Sequence, residues 1–68
     1  MRVFKESDFT WCDSDLMVTD ASYLGFPPGL IMRQFEIAGR GLFTYQGMAG
    51  DVFKYKNDAG LCAEVFND

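Results

Sequence analysis

The chain predicts an all-β fold, a small antiparallel meander or barrel of five to six strands with one short helical turn and a C-terminal β-hairpin. Three observations lead there. Apolar and charged residues alternate with the period of a strand across Val52–Lys56 and again across residues 61–66. Gly39, Gly41, Gly47, Gly50 and Gly60 punctuate the second half at the spacing of short antiparallel strands. At 68 residues the chain has room for one core, so residues 1–68 form a single small domain.

In chain order, "VFKESDFTW" and "DLMVT" read as the first two strands. Asp20 is placed to cap a helical turn over Ala21–Leu24, and Gly25 ends it. Pro27 stiffens the approach to Pro28-Gly29, a pair preferred at the centre of a type II turn. This segment, residues 20–37, joins two strands. As a loop on a rigid scaffold it is also a place where binding residues would sit. "LIMRQFEI" predicts the next strand, with Ile31, Arg33, Phe35 and Ile37 on one side and Leu30, Met32, Gln34 and Glu36 on the other. "AGRG" then turns the chain into the strand "LFTYQ", and "GMAGD" leads to the final hairpin.

The hairpin turn "NDAG" allows two registers. A four-residue loop sets Lys56 opposite Leu61 and Lys54 opposite Ala63. A type I turn with Gly60 in the left-handed region sets Asn57 opposite Leu61 instead. Tyr55 then faces Ala63, Phe53 faces Val65, and Lys54 faces Glu64. The second register gathers apolar groups on one face and opposes unlike charges on the other, so it is the one expected.

Composition narrows the function classes. The chain is 49% hydrophobic and 16% aromatic, which excludes disorder. Domains of this size usually draw margin from disulfides, metals or partners. Here there is no histidine, and only Cys12 and Cys62 could bridge. In a reducing cytoplasm both stay thiols and serve as small apolar groups in or near the core. Seven Phe, three Tyr and one Trp exceed what one short chain is expected to bury, which points to a homo-oligomer.

The net charge of −4 argues against a duplex DNA or RNA binder, which needs Lys and Arg against phosphate. Arg2, Lys5, Arg33, Arg40, Lys54 and Lys56 still leave room for a local basic patch. No apolar run approaches the ~20 residues of a membrane span. Charges in "MRVFKESDF" stand where a signal peptide is apolar, so a cytoplasmic location is expected.

Catalysis finds little support. Without histidine the usual proton shuttle near neutral pH is missing, and neither cysteine has that base to activate it. Asp8, Asp13, Asp15 and Asp20 lie close in sequence. "DSDLMVTDASYLG" nevertheless lacks the fixed glycine and closing glutamate of a calcium loop, so they read as a solvated turn and a helix cap. "GRG" at residues 39–41 is no dinucleotide fingerprint, because the third glycine would fall at Thr44. No catalytic residue, metal or cofactor is expected.

What remains is arginine with aromatics. Arg33, Arg40, Tyr23, Phe26, Tyr45 and Tyr55 form the candidate ligand-binding set, since guanidinium pairs with phosphate and rings stack on bases. The plainer alternative puts Arg33 at an edge or interface and the rings in the core.

On "VTDASYLGFPPG", "RQFEI" and the terminal "CAEVFND", the chain resembles small accessory proteins of phages and prophages. The likeness covers most of the length, rests on turn and strand chemistry, and brings no active residues with it. It implies a non-catalytic binding protein in the host cytoplasm. Two modes are expected: an oligomer that sequesters a small nucleotide-derived signalling anion of bacterial defence, or an inhibitor or adaptor that blocks a host protein through an apolar surface or strand edge.

Overall fold

The structure, a computed structural model, describes residues 2–27 and 30–67. Its strands are β1 (Val3–Phe4), β2 (Thr10–Asp13), β3 (Leu16–Asp20), β4 (Gln34–Ile37), β5 (Gly41–Ala49), β6 (Val52–Lys56) and β7 (Cys62–Phe66). A 3-10 turn over Glu6–Asp8 separates β1 from β2, and a single-turn helix, α1 (Ala21–Leu24), follows β3. The strands form one sheet in the order β1-β4-β5-β6-β7-β3-β2.

The C-terminal hairpin takes the register that charge and packing select. Phe53 pairs with Val65, Lys54 with Glu64, and Tyr55 with Ala63. Lys54 and Glu64 approach to 3.7 Å. The Asn57 amide donates to the Leu61 carbonyl, and Asn57 Oδ1 accepts from the amides of Ala59 and Leu61. Gly60 sits at φ 87°, where an L side chain is strained. A Cβ there would meet nothing within 4 Å, so the backbone alone opposes substitution. Gly60→Ala is expected to cost about 1–2 kcal/mol in urea unfolding, with no change in the native circular-dichroism spectrum.

Two expectations are corrected. The strands among the described residues are seven rather than five or six, and pairing is mixed: β1 runs parallel to β4 and β3 parallel to β7. Only β4 to β7 form an antiparallel meander. The extra strand arises inside "VFKESDFTW". There Asp8 Oδ2 accepts from the Lys5 amide at 3.1 Å and the chain coils, leaving β1 and β2 at opposite edges of the sheet.

That break dictates the curvature. Residues 5–9 alone connect the edge strands, and such a stretch spans at most ~20 Å when fully extended. Seven flat strands would hold their edges roughly 29 Å apart. The sheet therefore curls into a half-barrel, within overall extents of 28 × 23 × 19 Å.

The concave face is the core. Met17, Phe35, Ile37, Phe43, Phe53, Tyr55, Ala63 and Val65 line it, and Phe4, Phe9, Leu24 and Phe26 close over them. Six of the seven phenylalanines are thereby buried in one chain, leaving Phe66 exposed. Much of the aromatic surplus that argued for a second copy is absorbed here.

Smaller differences follow local chemistry. β4 begins at Gln34 rather than Leu30, so Phe35 and Ile37 alternate inward as expected while Arg33 lies before the strand and is exposed. β5 continues past "LFTYQ" to Ala49 through a bulge between Tyr45 and Gly47. Asp20 occupies the N-cap position of α1 and Gly25 ends it at φ 77°, but the Asp20 side chain makes no cap hydrogen bond. The Pro28-Gly29 turn lies outside the described residues. Both cysteines are free: Cys62 is half-buried on β7, while Cys12 is exposed on β2 and not in the core. No helix among the described residues is long and apolar enough to cross a membrane.

Candidate binding edge and cleft

The arginine–aromatic set divides between places. Arg33 stands just before β4 with its guanidinium 5.5 Å from the Tyr45 ring centre. Tyr45 and Tyr55 rings are 5.6 Å apart, and the Tyr55 hydroxyl donates to the Met32 carbonyl at 2.6 Å. Burial, reinforced by Tyr45, pushes the Tyr55 phenol up to about 12, against a smaller opposing pull from Arg33. Arg33, Tyr45 and Tyr55 therefore meet at one end of β4, although Tyr55 itself is buried.

Arg40 belongs to the turn at the other end of β4, so the strand lies between the two arginines. Phe26 is a core residue against Phe4 and Phe35, with no face left for a ligand. Tyr23 projects from α1 into solvent. Arg33 and Arg40 therefore flank β4 from opposite ends and have different ring partners, Tyr45 and Trp11.

Arg40 has other company. Its Nε is 3.1 Å from Glu6 Oε2, one terminal nitrogen donates to Glu6 Oε1, and the guanidinium lies 5.1 Å from the Trp11 ring centre. The Asn57 side-chain amide holds the Arg40 carbonyl at 2.8 Å. A glycine turn, the 3-10 turn, the hairpin turn and β2 are thus tied at one point. Trp11, which sequence reasoning did not select, is the ring braced by this arrangement. The signal available was slight: the chain's one tryptophan, in a stretch beside charged and polar residues.

Among the described residues β2 is an edge strand, paired with β3 on one side and with no strand on the other. All four of its residues are exposed, Trp11 by 40%. A bulge at Cys12 interrupts the register with β3. The opposite edge, β1, has only two residues, with Val3 exposed.

Where β2 begins, a cleft of about 260 Å³ opens between the 3-10 turn, the end of β3 and α1. Ser7, Asp8, Phe9, Thr10, Thr19, Asp20 and Tyr23 line it. The lining includes two aspartates, a serine, two threonines and a tyrosine but no lysine or arginine, so it favours a cation over an anion. Of the four sequence-adjacent aspartates, Asp8 and Asp20 meet here. Among the described residues no three carboxylates, cysteines or histidines gather as a metal site would require. Comparisons with protein-family models, with curated proteins and with solved structures found no match to this chain.

Proposed function

We propose that this chain is a non-catalytic, phage-type accessory protein that binds and blocks a host protein by strand addition at the β2 edge. The observation that supports this reading is the open edge itself, four exposed residues carrying a tryptophan braced by Arg40 and Glu6. An edge strand offers a row of backbone donors and acceptors to an extended segment, and the ring adds the anchor typical of interface hot spots.

The reading is tested by capture from a bacterial lysate. Immobilised wild type and a Lys56→Gln control are expected to retain the same protein, and Trp11→Lys to retain it about tenfold less, as loss of a hot-spot ring implies. Equal retention by Trp11→Lys, with the fold verified by circular dichroism, sinks it. A captured second copy of this chain would make the edge a homo-oligomer interface instead.

One observation favours a second reading, sequestration of a nucleotide-derived anion: Arg33 is exposed and stands over the Tyr45 ring. A site using Arg40 as well would be assembled from two copies. Calorimetry against cyclic and linear nucleotides decides this, and absence of heat at high protein concentration ends it.

A further inference from the structure

We infer that the cleft at the start of β2 receives a basic side chain, arginine in particular, from the segment that pairs with β2. The inference rests on the edge-binding reading and specifies its partner. Thr10 is both the first residue of β2 and part of the cleft wall. The cleft lies between the start of β2 and the end of β3, on the paired side of β2. A strand laid along the free side runs ~4.8 Å from β2, its side chains alternate between faces, and a long one directed across β2 at Thr10 is aimed at the cleft.

The cleft matches a guanidinium group by group. Asp8 comes from the 3-10 turn and Asp20 from the end of β3, so carboxylates stand on two walls. Ser7, Thr10 and Thr19 add hydroxyl oxygens. Guanidinium has five N–H donors in a planar fork and no acceptor, whereas an ammonium is a compact point charge, so arginine uses separated acceptors better. The Tyr23 ring, largely exposed on α1, offers a face for cation–π contact. Phe9 at the cleft wall offers apolar surface for the methylene stem.

Size and charge point the same way. A volume of about 260 Å³ suits one side chain, since pockets for whole small molecules start near ~300 Å³. The chain's net charge of −4 draws a basic segment toward the surface before contact.

The test is an NMR titration of the ¹⁵N-labelled full chain. One probe is a short peptide alternating threonine and valine around a central arginine; the other carries citrulline, which keeps the shape and loses the charge. The arginine peptide is expected to move the signals of β2, of residues 7–10 and of residues 19–23, and to bind about fivefold more tightly than its citrulline twin. Asp20→Asn and Asp8→Asn should each narrow that gap, and added salt should narrow it in wild type. If both peptides move β2 with equal affinity and leave the cleft signals still, the cleft assignment falls while strand addition stands. If neither peptide moves β2, strand addition falls and takes the cleft assignment with it.

Discussion

Phe35→Ala is expected to leave the chain largely unfolded at 25 °C. The Phe35 ring is fully buried at the centre of the concave face. It contacts Tyr55 at 4.6 Å, Phe4 at 5.4 Å, Phe43 at 5.8 Å, Phe9 at 6.2 Å and Phe26 at 6.3 Å between ring centres. Those partners come from five strands or connections besides its own, so a cavity there cannot collapse by moving one element. Truncation of such a ring costs about 3–5 kcal/mol, against a total stability of roughly 3–10 kcal/mol for a chain of this length. Loss of the near-ultraviolet circular-dichroism signal and of a cooperative urea transition is the expected readout. Phe35→Leu, which retains most of the apolar volume, should keep both. An alanine variant with a wild-type urea midpoint would mean that the core is not organised around this ring.

Stability should fall steeply between pH 10 and pH 12, and Tyr55 should be responsible. Its phenol is pushed up to about 12 in the folded chain, mainly by burial, while the unfolded chain ionises it near ~10. Below pH 10 both states hold the proton and the group adds no pH dependence. Between the two values the unfolded state releases the proton first, so stability declines as pH rises, by about 3 kcal/mol once the folded value is passed. Tyr55→Phe removes the ionisable group together with the hydrogen bond to the Met32 carbonyl. It should cost about 1 kcal/mol at neutral pH and then flatten the alkaline decline. Urea midpoints of both proteins at several values between pH 9 and 12 check the prediction. Parallel curves would rule out Tyr55 as the source.

Legibility in the sequence followed the range of the contacts. The hairpin register could be read because its determinants are local: Lys54 against Glu64, and Gly60 in the turn. Phe35 and Ile37 could be assigned inward from alternation alone, and Gly25 could be recognised as a helix end. Both parallel pairings escaped, because β1 is too short to carry a pattern and nothing local joins β3 to β7.

Alternation puts Arg33 on an apolar face only if the strand starts at Leu30, four residues too far out into the connector. Arg40 belongs to the candidate ligand-binding set on sequence grounds. Its partners Glu6 and Trp11 arrive only when the sheet curls and brings the first turn beside the β4–β5 turn. Phe26, a candidate binding ring on sequence grounds, is core because it packs against Phe4 and Phe35. The cleft shares the same origin: Asp8 and Asp20 were noted as neighbours in sequence, but the side chains between and around them define a space only after the edges approach.

The arrangement of the strands also divides the molecule in time. The stretch from β4 to β7 is consecutive along the chain and side by side in space, so its contacts close small loops and can form early at little entropic cost. Residues 3–20 instead join onto both flanks of that platform, Val3 beside Glu36 and Thr19 beside Val65, and can engage only once it exists. The portion that carries Trp11, Asp8 and Asp20 is therefore expected to assemble last and to open first, which faster hydrogen exchange of the β2 amides than of the β5 and β6 amides would show. A partner that seizes it would act as the final piece of the folding reaction, holding shut a seam that the chain on its own keeps closed least firmly.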